Sequence, residues 1–208
     1  MSLGTAFAMK RGDHARAMIL GRFLSAGCVG VLLGLFVTFV VVERGKGFAA
    51  VAAGPWTGWP RSGTSDTDPY TRAILAYSGE MSLSESEGMS FVAGGDSNGA
   101  EFDPACDYVL KGEIPAARYW TLTLLSPAGA PIANPAGRQG FTSGEVLRAS
   151  DGQFEIILSR HARPGNWLPI GDTSKFLLVL RLYDSELGAP ASALDAAKMP
   201  GLVKSRCE

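Results

Sequence analysis

Five polar residues with oxygen-bearing side chains fall within twelve positions of the sequence. They are Asp96, Asn98, Glu101, Asp103 and Asp107. Carboxylate and amide oxygens are the ligands that calcium takes in proteins. The spacing of an EF-hand loop is incomplete here, because no glutamate stands at its closing position. The Asn-Gly pair at 98–99 is also a typical hairpin turn. Calcium binding and a solvated turn are therefore both open, and the turn is favoured.

Carboxylates alone are enough for one kind of chemistry, the hydrolysis of glycosides. That reaction needs two acidic groups about 5–9.5 Å apart. The candidates are Asp96, Asp103, Glu113 and Asp172. They support an alternative function, a carboxylate-based hydrolase or carbohydrate-active domain.

Other catalytic and metal-binding patterns are missing from the sequence. It contains no Gly-x-Ser-x-Gly elbow, P-loop, dinucleotide fingerprint or Cys-x-x-Cys pair. Of the 2 histidines, His14 precedes a long apolar run and His161 follows it. This separation excludes a multi-histidine metal site, and a solvated loop histidine is the favoured interpretation of His161. We expect no metal and no cofactor, and we lean towards a protein that is not an enzyme.

Aromatic and basic side chains provide a further possible site. Trp120 and Trp167, with Tyr119 and Tyr183, would form either a stacking platform for a sugar or peptide, or parts of the core and its rim. The core interpretation is favoured. Five arginines would bind an anionic envelope component if they shared one face, although scattered surface arginines are the default. They are Arg118, Arg138, Arg160, Arg163 and Arg181.

The chain has 3 cysteines. Cys28 lies in the apolar run and is interpreted as a small apolar residue. Cys106 and Cys207 form an even pair beyond that run, and in an oxidising compartment they are candidates for a disulfide. Such a bond would close a loop of about 100 residues, worth up to about 4.7 kcal/mol in the chain-entropy model. Two unrelated free thiols are the alternative.

The apolar run extends from Phe23 to Val42 without a charged residue. About 20 helical residues span roughly 30 Å, the hydrocarbon thickness of a bilayer. Lys10, Arg11 and Arg22 are among the basic residues that precede the run. Because basic flanks stay in the cytoplasm, we expect a single-pass inner-membrane helix with a cytoplasmic N-terminus and a periplasmic C-terminal part. A cleaved signal peptide is disfavoured, since its apolar region is only about 7–15 residues long.

Beyond the apolar run the pattern changes to short strands separated by Gly and Pro turns. An Asp-Pro pair at 68–69 predicts a short helix, with Tyr70, Ile74 and Tyr77 on one face and Gly79 ending it. Strands are predicted at 89–93, 107–112, 118–125, 145–149, 153–160 and 175–184, a loop at 160–175, and a helical turn at 191–197. This spacing indicates an all-β protein, either a β-sandwich or a jelly roll.

Composition agrees with a chain of two unlike parts. The 208 residues carry 19 basic and 20 acidic side chains, which excludes a globally basic nucleic-acid-binding surface. The mean hydropathy of +0.12 averages one apolar helix and a mildly hydrophilic remainder. The predicted segments are a cytoplasmic tail (1–22), a transmembrane helix (23–42), a linker or extended arm (43–69) and a periplasmic domain (70–208).

Three stretches together resemble the bacterial family called domain of unknown function 1214. They are GPWTGWPRSGTSDTDPYTRA (54–73), CDYVLKGEIPAARYWTLTLLSPAGAPIANPAGR (106–138) and RPGNWLPIGDTSKFLLVLRLYD (163–184). The resemblance covers about residues 54–207 and implies a jelly-roll β-sandwich. Members often occur beside a second uncharacterised domain, number 1254, so the resemblance also implies a separately encoded companion protein for this short, membrane-anchored form.

The resemblance supplies no catalytic residues. Asn166 is one of the residues that recur in the family, and it is added to the candidates for ligand binding. The candidate ligand-binding residues are Trp120, Asn166, Trp167 and Arg181. The expected function is a non-enzymatic binding or structural component of the cell envelope, with a protein partner or an envelope polymer as ligand and no nucleic acid.

Overall fold

The computed structural model describes residues 4–43, 50–78, 83, 87–185 and 199–207. The chain divides into two compact units, Met1–Gly45 and Lys46–Glu208. The first unit is helical and the second consists mostly of strands.

The first unit contains one long helix, α1 (Gly4–Glu43). Its segment Met18–Glu43 has a mean hydropathy of 2.4 over the apolar window, and none of that window is buried. Large apolar side chains such as Phe23 and Leu32 are more than 60% exposed. The segment is long and apolar enough to cross a membrane, and it contains the predicted span 23–42.

The described residues of the second unit form ten strands and a short helix, α2 (Pro69–Ser78). The strands are β1 (Val51–Ala53), β2 (Trp56–Gly58), β3 (Gly88–Ala93), β4 (Cys106–Lys111), β5 (Ala117–Leu125), β6 (Gly140–Thr142), β7 (Glu155–Ser159), β8 (Asn166–Pro169), β9 (Leu177–Ser185) and β10 (Gly201–Cys207).

These strands form two sheets. The larger sheet has the order β1-β2-β3-β9-β5-β6, and the smaller has the order β10-β4-β7-β8. All pairings are antiparallel except that of β7 with β8. The predicted fold class, a mainly β protein of sandwich type with an apolar N-terminal helix and one short helix, is confirmed. The jelly-roll connectivity stays a prediction.

The core lies on the inward faces of the two sheets. Burial alternates along β3 and along the middle of β5, as expected for strands with one face inward. Phe91, Leu122 and Leu180 from the larger sheet, and Leu110 and Ile156 from the smaller, are each at most 1% exposed. Fully burying such a side chain contributes roughly 1.5–3 kcal/mol, so these residues fix the register of both sheets.

Two predictions around the smaller sheet were wrong. Residues 145–149 were expected to form a strand, but they form turns and irregular chain. Residues 166–169, expected to lie in a loop, form β8. Residues 166–169 form a strand because they pair in parallel with β7. The Asn166 side chain accepts a hydrogen bond from the Leu147 N–H and donates one to the Leu147 carbonyl, so a side chain takes the place of a neighbouring strand.

The segment predicted to be a linker or arm contributes two strands to the larger sheet. β2 pairs with β3, and Trp56 is fully buried. The Trp56 indole donates a hydrogen bond of 2.7 Å to the Pro200 carbonyl. Residues 51–58 therefore pack with the sandwich, while the division of the chain into four segments stays a prediction.

Helix α2 begins as predicted but buries a different face. The Asp68 carboxylate accepts hydrogen bonds from the Tyr70 and Thr71 N–H groups and caps the helix. Ile74 is 5% exposed, as expected of the inward face, whereas Tyr77 is 76% exposed. Thr71 and Leu75 complete the buried face, one turn apart from each other. The predicted stop at Gly79 and the helical turn at 191–197 lie outside the described residues.

Candidate functional site

A cleft of about 320 Å³ opens at one end of the sandwich. One wall is the connection between β4 and β5, and the other is the turn that precedes β7. The residues that line it are 112–117, Trp120, Arg148 and 152–154. Its size lies near the lower end of the roughly 300–1,000 Å³ found for small-molecule sites.

The base of the cleft is a stack of two aromatic rings and a guanidinium group. Trp120, on β5, stacks on Phe154 with 5.4 Å between ring centroids and 17° between planes. The Arg148 guanidinium lies 4.8 Å from the centroid of the Phe154 ring. Trp120 and Phe154 are only 5% and 8% exposed. They therefore act as a rigid support and not as an open stacking platform.

A turn fixes Arg148 over the ring. The Ala149 N–H donates to the Gln153 carbonyl at 2.8 Å, and the Gly152 N–H donates to the Ala149 carbonyl at 2.9 Å. Gly152 has a φ of 82°, which a glycine adopts without strain. Arg148 Nη1 donates to the Gly152 carbonyl at 3.0 Å. The aromatic ring and the turn thus hold the guanidinium from two directions.

Of the four candidate hydrolytic carboxylates, only Glu113 lines this cleft. Asp96 and Asp103 accept backbone hydrogen bonds in their own turns, from Asn98 and Ala105 respectively. The described lining of the cleft therefore contains no carboxylate pair of the kind that glycoside hydrolysis needs.

The acidic cluster of residues 96–107 is used in turns and ion pairs. Asp96 is 4% exposed, and its Oδ1 accepts from the N–H groups of Asn98 and Ala100, both at 2.9 Å. The exposed Glu101 carboxylate lies 3.3 Å from Lys175 Nζ. Among the residues that the structure describes, no group of three or more His, Cys, Asp or Glu side chains is arranged to hold a metal ion.

Asp107 forms the centre of a separate charged cluster. Its Oδ2 lies 2.8 Å from Arg163 Nη2 and 3.0 Å from Arg206 Nε. Burial by itself raises the pKa of Asp107. Hydrogen bonds from the Ser159 hydroxyl and from Arg206 and Arg163 outweigh burial and hold that pKa below its ordinary value of 3.8. The cluster binds β10 to β4 beside a disulfide that joins Cys106 and Cys207.

Asn166 and Trp167 lie on β8, at an edge of the smaller sheet. Asn166 is 6% exposed, and besides Leu147 it donates to the Glu155 carbonyl at 2.8 Å. Trp167 Nε1 donates to the Ser159 carbonyl at 3.0 Å. Both side chains thus hold the strand and its neighbours in place.

Arg181 lies on β9, in the middle of the larger sheet. In the sheet register it stands between Ser90 on β3 and Thr121 on β5. The burial pattern places Arg181 on the face opposite Leu180 and Leu182, which are fully buried in the core. The sheet register therefore places Arg181 on the other face from Trp120, which pairs with Leu182.

The four candidate ligand-binding residues therefore occupy different places. Trp120 is in the cleft, Asn166 and Trp167 share β8, and Arg181 is on the other face of the larger sheet. Other arginines are also held locally. Arg118 lies 3.9 Å from Asp184, Arg138 stacks on Phe141, and Arg160 donates to the Thr173 carbonyl. The exposed His161 uses its backbone N–H to donate to the Ser159 hydroxyl.

Arg148, Gln153 and Phe154 are among the cleft residues that were not identified as site candidates from the sequence. The Asp-Gly pair at 151–152, a typical hairpin turn, is the available sequence sign of their proximity. An Arg and a Phe on either side of a tight turn are brought together whenever the turn closes.

Residues 87–187 match the family model described as "Protein of unknown function (DUF1214)". This segment contains strands β3 to β9 and makes up just under half of the chain. The resemblance predicted from the sequence motifs is confirmed. The motif at 54–73 lies before the matched segment.

The solved structures that are similar to the chain include the following two. The VPA0106 protein from Vibrio parahaemolyticus has a TM-score of 0.52 and 21% identity, over 66% of this chain and 36% of that one. An uncharacterized protein from Burkholderia cenocepacia has a TM-score of 0.35 and 17% identity, over 58% of this chain and 29% of that one. The chain thus spans about a third of the length of these proteins. The similarity to the Vibrio parahaemolyticus protein supports the fold alone. No curated protein matches the chain.

Proposed function

We propose that this chain, whose residues 87–187 match the DUF1214 family, is an inner-membrane-anchored protein with its β-sandwich in the periplasm. In this proposal α1 is an uncleaved anchor with a cytoplasmic N-terminus. The sandwich is a non-enzymatic binding or structural component of the cell envelope, and a separately encoded β-sandwich protein is its companion.

The observation that carries the proposal is the bond between Cys106 and Cys207. Disulfides persist in oxidising compartments such as the periplasm and are rare in the cytoplasm. Both cysteines follow the apolar segment Met18–Glu43, so they lie on the same side of any membrane that this segment crosses. An oxidising environment for the sandwich agrees with the basic residues that precede the segment.

Two properties, one of α1 and one of the cleft, support the membrane anchor and the binding role. The apolar window of α1 is wholly exposed, and a lipid bilayer would cover such a surface. The described lining of the cleft has Glu113 as its sole carboxylate and includes no histidine, cysteine or serine. A pocket of this composition suits the binding of a ligand better than acid–base or nucleophilic chemistry.

Reporter fusions test the orientation. A reporter that is active only in the periplasm, fused after Glu208, is expected to be active, and the same reporter fused before Met1 is expected to be silent. The reverse pattern would overturn the orientation. Recovery of a chain cleaved near residue 50 would overturn the uncleaved anchor.

Turnover and crosslinking assays test the role of the sandwich. We expect no turnover of a panel of glycosides, esters and peptides by the full chain in detergent. If the full chain turned over one of these substrates and the variant Glu113→Gln did not, the sandwich would be a hydrolase and the non-enzymatic role would be wrong. Crosslinking from the membrane is expected to capture a protein of β-sandwich type. If repeated experiments captured no partner, the proposed companion protein would be excluded.

A further inference from the structure

We propose that the cleft beside Trp120 binds a small zwitterion of the amino-acid or dipeptide class. The ligand's carboxylate lies on Arg148 and its ammonium group lies towards Glu113. This inference rests on the proposed function of the sandwich as a binding domain and names the class of ligand that it takes.

Arg148 is the anion-binding group of the cleft. Its guanidinium is held by the Phe154 ring at 4.8 Å and by the Gly152 carbonyl at 3.0 Å. Only Nη1 is engaged by that hydrogen bond, so Nε–H and Nη2–H remain for a bidentate bond to a carboxylate. Because the side chain is already fixed, less conformational entropy is lost when a ligand binds.

Glu113 supplies the opposite charge from the other wall. Glu113 and Arg148 both line the same cleft, and the described contacts include no ion pair between them. A ligand with only one charge would meet an attractive group and a repulsive group in the same small cleft. A zwitterion meets an opposite charge at each end, so the cleft selects it over monovalent anions and cations.

The size and apolar surface of the cleft limit the ligand further. About 320 Å³ is near the lower end for ligand sites, which suits one or two amino-acid residues. Ile114 and Ala117 provide apolar surface on the same wall as Glu113, where a methyl side chain would pack. Gln153, on the opposite wall, offers an amide to the ligand's peptide group.

Calorimetric titration of the full chain in detergent tests the proposal. The probes are L-alanyl-L-alanine, its N-acetylated form, its C-terminal amide, and glucose as a neutral polar compound. The free dipeptide is expected to bind most tightly. Removing either charge is expected to weaken binding roughly 10- to 100-fold, the usual effect of losing a hydrogen-bonded charge pair.

Matched variants assign each end of the ligand to its residue. Arg148→Ala is expected to weaken the free dipeptide roughly 10- to 100-fold but to strengthen binding of the cationic amide, which loses a repulsive group. Glu113→Gln is expected to weaken the free dipeptide and to strengthen binding of the anionic N-acetylated form for the same reason. Arg138→Ala is the control, because Arg138 also stacks on a phenylalanine, at 4.6 Å from the Phe141 ring, but lies outside the cleft.

The outcomes separate this inference from the proposed function. Equal binding of all four probes, an equal loss in Arg138→Ala, or no binding of the free dipeptide would overturn the zwitterion site. In each of those cases a periplasmic reporter signal and an absence of turnover would leave the proposed function intact. A cytoplasmic reporter signal with dipeptide binding retained would overturn the proposed location and not the ligand class.

Discussion

Asp107 shows how a buried carboxylate is kept ionised in this domain. Its side chain is 11% exposed, and both arginines approach the same oxygen atom. Burial favours the neutral acid, but the hydrogen bonds from Ser159, Arg206 and Arg163 favour the carboxylate more strongly, so its pKa is lowered. A pKa that is lower in the folded state makes the unfolded state bind protons first as the pH falls. The ionised cluster therefore stabilises the fold at neutral pH and stops doing so in acid.

Asp107→Asn is expected to lower the free energy of unfolding at pH 7 by about 3 kcal/mol, because both arginines lose their charged partner. Denaturant titration at several pH values measures this. The difference from the unmodified chain should shrink as the pH falls below 3.8 and through the folded-state pKa of Asp107. A difference that grows in acid would contradict the assignment.

Asp184→Asn is the matched control for this variant. Asp184 also pairs with an arginine, Arg118, but the two side chains are 72% and 83% exposed and lie 3.9 Å apart. Solvent screens such a pair, so we expect a change below about 0.5 kcal/mol.

At the scale of elements, the Asn166 side chain stabilises the edge strand β8, beside which the described part of the chain places no further strand. Its amide satisfies the N–H and carbonyl of Leu147 and the carbonyl of Glu155. Asn166→Ala is expected to lower the free energy of unfolding by about 3 kcal/mol, because a buried side chain loses three hydrogen bonds at about 1 kcal/mol each. Asn166→Asp should not restore stability, since a carboxylate accepts from the Leu147 N–H but has no proton to donate to either carbonyl.

Asn98→Ala, in an exposed turn, is the control for these two variants, with an expected change below about 0.5 kcal/mol. Thermal unfolding of the three variants side by side gives the comparison. Full stability of Asn166→Asp would show that the two donated hydrogen bonds contribute nothing.

Asp68, which caps α2, is expected to contribute less to the free energy of unfolding than Asn166. Hydrogen bonds to the Thr71 hydroxyl and to the Thr71 and Tyr70 N–H groups lower the pKa of Asp68. Asp68→Ala is expected to cost about 1 kcal/mol at pH 7, the usual value of a lost helix cap, and less as the pH falls through the lowered pKa. Asp68→Ser should recover most of the loss, and urea denaturation distinguishes the two variants.

Some strands could be predicted from sequence patterns and others could not. Strands β3, β4, β5 and β9 were located to within about two residues, because each has enough apolar residues to bury one face. Strands β1, β2 and β8 lie in segments rich in Gly and Pro, and β2 and β8 pair with residues outside those segments, such as Val92 and Ile157. The cleft was missed for the same reason, since Trp120 meets Phe154 through tertiary packing.

At the scale of the whole β-sandwich unit, its early and late segments are tied together. Trp56 hydrogen-bonds to the Pro200 carbonyl, and Ser97 exchanges hydrogen bonds with Leu202. The disulfide then joins Cys106 to Cys207 across a sequence separation of 101 residues. A crosslink that closes so long a loop restricts the unfolded chain strongly. Its loss should therefore destabilise the whole unit and not only β10.

Replacing both bonded cysteines in the variant Cys106→Ala/Cys207→Ala is expected to lower the free energy of unfolding by up to about 4–5 kcal/mol. All 4 tryptophans lie within Lys46–Glu208, so tryptophan fluorescence during denaturant titration reports on this unit. Treating the unmodified chain with a dithiol reductant should give a loss of similar size, while Cys28→Ala should give none. Under denaturing conditions, chain purified from membranes should expose one reactive thiol before reduction and three after it. Three thiols before reduction would mean that the sandwich had matured in a reducing compartment, which would contradict both the disulfide and the proposed periplasmic location.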